Sequence, residues 1–575
     1  MKTSEELHQQ LHEIHRKSYP AYKSLKGIYQ FQNYLLCIQH VQGDPFASPS
    51  HISVRIPLHQ AAFPGDYYKD SLTRTALCDY LIRQFEQQIS HYTFRAKGSG
   101  KSGLICVSHC GQEVLKRTAC EITSKDIIVR FFIGFPANGR TIQATELEKI
   151  LFDFLPICVE KTFFYRNLNA AELKSCIELA QDQEFLRHEL LRRKLVAFVA
   201  DGSILPRESG ISSRPMKNSI PFFSPESLRV SITLPHHGEI TGMGIPQGIT
   251  LIAGGGYHGK STLLNALELG VYNHISGDGR EYVITDETAV KLRAEDGRFI
   301  KDVDISLFIN DLPNGKDTHS FSTLDASGST SQAAGIVESM EAQSRVFLLD
   351  EDTSATNFMV RDAFMQKVIQ RDKEPITPFL ERARQLFEES KISTILVAGS
   401  SGAFFHIADT IIQMDNYRPL DITDSTRKLC SQYPLPDVSI RPFHQPQSHR
   451  IMAKASSAPA RRTGQKFSGH GVPTERLKTK VFGTDCFSLG KQEIDLRYIE
   501  QLVDSEQTAT LSLLLKYATE HLIDGKRTLS EIVELLQTRL TEEGMNFLAE
   551  SSEISCGYAL PRKQEIYACF NRYRR

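Results

Sequence analysis

The chain has 575 residues, a formal net charge of -1, 41% hydrophobic residues and 23% charged residues. That length exceeds a single hydrophobic core and predicts about two to four domains. Near-zero charge excludes a partner chosen by the overall field, so any nucleic-acid preference has to come from local clusters.

The opening segment MKTSEELHQQLHEIH has early acids and no apolar core, which is unlike a secretory signal. Thr3 and Glu6 read as a capping box, followed by Leu7, Leu11 and Ile14 on one helical face. Residues 1–165 then mix strand-like runs (34–38, 52–56, 127–134) with helix-like runs (72–91, 145–155), which predicts an N-terminal α+β domain. No apolar run reaches the roughly 18–20 residues that cross a bilayer. Eleven cysteines without a CxxC pair read as reduced thiols. The expectation is a cytoplasmic protein with no membrane partner.

After a charged helical stretch at 170–194, three short apolar strands stand out at 249–253, 346–349 and 394–398, each followed by small or acidic residues. Continuous apolar strands between loops and helices predict a buried parallel sheet whose chemistry lies at the strands' carboxyl ends. The core of this α/β domain is expected over 166–430. A basic, Pro- and Ser-rich stretch over 431–480 reads as a flexible linker, and 481–575 as a small C-terminal domain. There Thr528 and Glu531 form a second capping box, with Leu529, Ile532, Leu536 and Leu540 as its stripe.

The segment GITLIAGGGYHGKST at 248–262 contains GxxxxGK[ST] between an apolar strand and an amphipathic helix. Glycines let backbone amides turn inward around phosphate oxygens, and a lysine adds a point charge. The predicted nucleotide-binding set is Gly254, Gly255, Gly256, Gly259, Lys260, Ser261 and Thr262, with Ser261 offered to Mg2+. A second Gly-Lys-Ser at 100–102 lacks both the leading strand and the first glycine, because Arg95 stands there. It reads as a basic loop. The strand 346–349 ends in Asp350 and Glu351. Asp350 is the candidate metal ligand, and Glu351 and Lys260 are the candidate catalytic residues, with Glu351 polarising water. Upstream, Ser327, Gly328 and Ser329 open a helix, either as an anion-binding turn or as a plain helix cap.

In combination these segments resemble one family. GDPFASPS at 43–50, LVAFVADGSILPR at 195–207, GGGYHGKSTLL at 254–264, ASGSTSQAA at 326–334, LLDEDTSATNFMVRD at 348–362 and IDLRYIEQLVD at 494–504 are similar to the predicted ATPases of the ABC class, which are soluble proteins. The resemblance implies an ABC-class P-loop NTPase core that binds ATP with Mg2+. It also implies that Ser327, Gly328 and Ser329 contact the γ-phosphate held by a second copy. The chain shows one such P-loop, so the implied assembly is a head-to-tail homodimer, with 354–357 at its seam. The chain departs from the ABC pattern in three places. Asp352 stands where a proline is usual, no glutamine occurs between Lys260 and Gln332, and AGSSGAFFH at 398–406 has Ser400 and Ser401 near the expected switch histidine. These changes leave the binding residues in place and bear on turnover.

The stretch 449–480 carries Arg450, Lys454, Arg461, Arg462, Lys466, Arg476, Lys478 and Lys480 against Glu475, and the chain closes with Arg572, Arg574 and Arg575. Such charge binds phosphate backbones by counterion release, or is only a solvated linker. RNA is the partner that the family association attaches to it. Three readings follow: an ATPase coupling closure to RNA binding, a nucleotide-dependent scaffold or switch with little turnover acting on protein partners, and a transporter engine. The third is disfavoured by the missing glutamine.

Overall fold

The computed structural model describes residues 1–361, 368, 373–434, 442–447, 449–453, 477–549 and 553–574. At its start the predicted helix forms over Ser4–Ile14. Glu6 N donates to Thr3 Oγ1 at 3.2 Å and Thr3 N donates to Glu6 Oε2 at 2.7 Å, which satisfies two otherwise orphaned amides. Leu7, Leu11 and Ile14 are buried against a mostly antiparallel sheet. Its longest strands, Leu35–His40, Ser50–Pro57 and Asp126–Ile133, are neighbours. Helices Ser71–Ser90 and Leu155–Phe163 contribute Leu77, Leu81, Phe85, Val159 and Phe163 to the same core. The run expected as a helix over 145–155 is α-helical only for Ala144–Glu148, then π-helical over Lys149–Phe154. The Gly-Lys-Ser at 100–102 lies in a turn: Ser102 Oγ donates to Ser99 O and accepts from Ala137 N, so its hydroxyl serves the loop's own packing.

The middle of the chain builds two sheets. One is antiparallel, in the order Arg229–Leu234, Gly238–Pro246, Leu195–Ala200, Val283–Thr285. The other has six strands, in the order Val290–Leu292, Val346–Asp350, Ser393–Val397, Ile249–Ala253, Thr410–Asp415, Arg418–Asp421. The first five are parallel to one another. Period-two alternation splits the four inner strands between two cores. Leu251, Phe347 and Leu349 face the side packed by Ala333, Ile336 and Val337 of helix Gly328–Glu341. Ile252, Val346 and Leu348 face the side packed by Leu263, Leu264 and Leu267 of helix Lys260–Leu269. With both faces covered, the inner strands can be largely apolar, as Ile249–Ala253 and Val346–Asp350 show.

The C-terminal segment folds as a three-stranded meander (Thr479–Phe482, Cys486–Leu489, Gln492–Asp495) under helices Ser505–His521, Leu529–Glu542 and Lys563–Asn571. The capping box Thr528–Glu531 forms, and Gly544 takes φ +64 just past the helix end. This segment covers the edge of the six-stranded sheet. Gln501 accepts from Lys291 N at 3.1 Å and donates to the carbonyls of Glu268 and Ala289. A bare edge strand is thereby closed off.

The stretch expected as free basic linker is partly committed to packing. Gln447 N donates to Asp304 Oδ2 at 3.2 Å, and Arg450 pairs with Glu338 and Glu341 and donates to Asn571 Oδ1 at 2.8 Å. Arg572 pairs with Glu295 at 2.6 Å. The sequence predicts both arginines as solvated charge, but buried carboxylates claim them, because an acid excluded from water needs a counter-charge. Lys454, Arg461, Arg462, Lys466, Arg476 and Arg575 lie outside the described residues. No described helix is long and apolar enough to cross a membrane.

Candidate functional site

Sheet order fixes the site. The strand Ile249–Ala253 lies centrally, so its carboxyl end opens beside those of Ser393–Val397 and Thr410–Asp415, with Val346–Asp350 one strand further. After Ala253 the backbone turns at Gly254, whose φ is +143 and where an added Cβ would sit 2.5 Å from the Met414 carbonyl oxygen. Only glycine meets both conditions. Gly255 and Gly256 continue the loop. Gly259 takes φ +96 immediately before the helix that begins at Lys260. Ser261 is exposed and Thr262 half-buried on the first helical turn.

The ammonium of Lys260 donates to the carbonyls of Gly254 and Gly255, both at 2.8 Å, so the loop closes on its own lysine. A Cβ on Gly399 would lie 3.7 Å from Lys260 Nζ, which places the loop after Ser393–Val397 against the same ammonium. That loop holds Glu351. Gly399 N and Ser400 N donate to Glu351 Oε2 at 2.8 and 3.0 Å, and the Ser400 hydroxyl donates to Oε1. Burial pushes the Glu351 carboxyl up, but the hydroxyl and amide of Ser400 with the amide of Gly399 outweigh it and hold it below the usual carboxylate range. Asp350, 6% exposed, responds in the opposite direction: burial raises it, and Asp352 N, 3.1 Å from Oδ1, only partly compensates. Asp352 thus uses the amide that a proline would lack.

Ser327 sits at the N-cap of helix Gly328–Glu341 but makes no capping bond; its hydroxyl meets those of Ser329 and Thr330 at 3.4 and 3.0 Å. The plain-cap alternative is therefore not the geometry observed. A Cβ on Gly328 would meet Asp296 Oδ1 at 3.2 Å and Ala294 Cβ at 3.3 Å, so the turn packs closely onto the loop after Val290–Leu292. Among the described residues no hydrogen bond joins Ser327, Gly328 or Ser329 to residues 254–262.

Three groups of residues escaped the sequence reading. Gln332, fully buried, donates to Ser354 Oγ and accepts from Ala355 N, both at 2.9 Å, which braces the 354–355 loop against the helix that starts at Gly328. Its signal was a lone glutamine on an otherwise small-residue helix face. Behind Asp350, Lys291 pairs with Glu268 at 3.6 Å and with Glu500 at 3.3 Å; burial pushes Glu268 up to about 7. Lastly, two tyrosines flank the phosphate loop in left-handed conformations. Tyr257 has φ +63 and is 99% exposed, and Tyr417 has φ +67 and is 53% exposed. Tyr417 Cδ1 lies 3.0 Å from a Cβ built on Gly259, and the hairpin that carries it is tied to the loop through Tyr417 N to His258 O and Asn416 N to His258 Nδ1.

Residues 4–166 match the N-terminal domain of ATPases of the ABC class, and residues 169–447 match the ABC ATPase P-loop domain. The chain belongs to the ATPases of the ABC class. Its residues 478–575 match a domain described as the MRB1590 C-terminal domain. This ABC-class ATPase is 31% identical over 264 residues to the uncharacterized protein MJ1628 of Methanocaldococcus jannaschii, an alignment covering 44% of the chain and 58% of that relative's length. Among solved structures it is similar to MJ1267, an ATP-binding cassette of an ABC transporter, in its ADP conformation. That match has 11% identity and a TM-score of 0.25, and covers 41% of this chain and 95% of the other. A second structure of MJ1267 matches at 10% identity and a TM-score of 0.23, covering 39% and 90%. The fold is an ABC-class α/β core with an α+β domain before it and a small domain after it.

Proposed function

We propose that two copies of this ABC-class ATPase close head to tail on ATP. Each P-loop holds a triphosphate through Gly254, Gly255, Gly256, Gly259, Lys260, Ser261 and Thr262, and the second copy supplies Ser327, Gly328 and Ser329 to the γ-phosphate. Glu351 orients a water and accepts its proton. The water oxygen bonds to the γ-phosphorus, the bond to the β-bridging oxygen breaks, and ADP and phosphate leave. Ser261 and Asp350 would hold Mg2+: an exposed hydroxyl and a buried carboxylate without a cationic hydrogen-bond partner among the described residues suit a hard cation. When bound, that ion neutralises charge building on the phosphate oxygens.

The observation that carries the reading is the pairing of Lys260 and Glu351 with the chain's own carbonyls, amides and Ser400 at the carboxyl ends of a parallel sheet. A triphosphate offers Lys260 stronger, charged acceptors than those carbonyls. Its arrival would also draw Ser400 from Glu351 to the γ-phosphate. The uncapped turn at Ser327, which makes no hydrogen bond to residues 254–262 among the described residues, fits delivery to a second copy.

Mixing two inactive variants tests the composite site. Lys260→Ala removes the phosphate lysine, and Ser327→Arg blocks the exposed turn. Each alone should be silent, and mixing should restore hydrolysis, because a mixed pair contains one intact site. Full activity of Ser327→Arg alone, or a mixture as inactive as its parts, rules the arrangement out.

A second reading, a nucleotide-dependent switch with little turnover, draws on the clasp of Ser400 on Glu351 and on the missing glutamine and histidine. The coupling to RNA rests on the basic residues left after Arg450 and Arg572 are committed. Its test is a salt series of RNA binding, where phosphate contacts give a steep slope.

A further inference from the structure

In the N-terminal domain, helix Ser4–Ile14 carries His8 and His12 one turn apart. Side chains at i and i+4 share a helix face, and the two rings lie 4.6 Å apart between centroids. Facing them is Glu148, the last residue of helix Ala144–Glu148, whose carboxylate contacts His8 Nε2. One ligand atom from each of the three residues lies within 4.8 Å of the other two.

Two features separate this cluster from an ordinary ion pair. The backbone directly after Glu148 is π-helical over Lys149–Phe154, a turn that gives up regular α-helical bonding and recurs at functional sites. This turn sets Phe152 edge-on against His8, with centroids 5.5 Å apart and an interplanar angle of 90°, so the imidazole is held in orientation. The second feature is His12. A His8–Glu148 pair needs no second imidazole, yet His12 stands beside it with ring nitrogens that have no hydrogen-bond partner among the described residues.

We propose that His8, His12 and Glu148 bind a divalent transition ion of the Zn2+ class. Two imidazoles and one carboxylate form a donor set suited to that ion, with a fourth position left to water. The same set is poorly suited to Mg2+, which takes oxygen ligands. The site is therefore chemically distinct from the metal position at Asp350. Bonds of about 2.0–2.2 Å require the donors to draw together, and rotation of the exposed His12 side chain allows that. A bound ion ties the first helix to the segment 144–154.

The test uses the full chain stripped of metal with a chelator and saturated with Mg2+. Zn2+ is titrated by calorimetry, and Co2+ is added in parallel as a spectroscopic probe. The expected result is one saturable site, Co2+ d–d bands without a thiolate charge-transfer band, and a Zn2+-dependent rise in Tm. His12→Ala, at an exposed position, and Glu148→Gln should each lose that rise while binding ATP like the parent. No Zn2+ binding by the parent protein overturns the proposal. So does parental Zn2+ binding by both variants, or a thiolate band, which would assign the ion to the cysteines.

Discussion

Replacing Glu351 with glutamine changes one atom's chemistry and almost nothing of its shape. In the structure Oε2 accepts from Gly399 N and Ser400 N, and an amide oxygen can accept the same two bonds. The other carboxylate oxygen accepts from the Ser400 hydroxyl, which can rotate to accept from the new NH2 group instead. The loop geometry should survive, and with it nucleotide binding. What disappears is the negative charge that takes the water's proton, a contribution on the order of 10²- to 10⁴-fold. Glu351→Gln should therefore bind ATP with parental affinity, hydrolyse it at least about 100 times more slowly, and run as an ATP-dependent dimer on sizing. The assays are phosphate release under single-turnover conditions and light scattering after gel filtration. Hydrolysis at the parental rate would show that Glu351 is not the base, whatever the state of the dimer.

Lys260→Ala should abolish ATP binding measured by fluorescent-nucleotide titration, since no other cation was found against the loop carbonyls among the described residues; retained binding would remove the lysine from the site. Tyr417→Ala should weaken ATP by roughly 5- to 150-fold, corresponding to about 1–3 kcal/mol of base stacking, and leave inorganic tripolyphosphate untouched, with Tyr417→Phe near parental. Equal losses for both ligands would make the tyrosine a prop for Gly259. Because amide and hydroxyl bonds hold the Glu351 carboxyl low in the nucleotide-free protein, that residue stays ionised there as pH falls through neutrality, so kcat/KM should show no inflection from it between about pH 6 and 8. Its stabilising contribution is present above the ordinary carboxylate range and is lost as pH falls through its lowered value. Glu268 behaves oppositely. Its raised value, about 7, means stability present in acid and lost as pH rises from about 4.5 towards 7. Glu268→Gln should therefore raise Tm at pH 8, by the equivalent of about 3 kcal/mol at most, and do little at pH 5. A stabilisation independent of pH would contradict the raised value.

Local features are legible in the residues alone. The P-loop needs contiguous glycines, a lysine and a strand-to-helix change, and all lie within 248–262. The capping boxes at Thr3 and Thr528 are likewise four-residue events, and the alternation that sorts Leu251 from Ile252 into opposite cores is written in each strand. Where a local pattern has two solutions, the residues alone do not choose between them. The apolar run 149–154 has the residues of an α-helix but adopts a π turn, and Arg450 and Arg572 look like free charge until Glu338, Glu341 and Glu295 are brought to them.

Tertiary structure alone decided the rest, because those partners are far apart along the chain and only strand order brings them together. Glu351 meets Ser400 because strands Val346–Asp350 and Ser393–Val397 are neighbours in register. Lys291 meets Glu500 because the C-terminal segment closes a sheet edge, and Glu268 because helix Lys260–Leu269 packs on the same sheet. Tyr417 reaches Gly259 because Thr410–Asp415 runs beside the P-loop strand. A single sequence records which side chains could make such contacts, while burial and backbone pairing select the few that do.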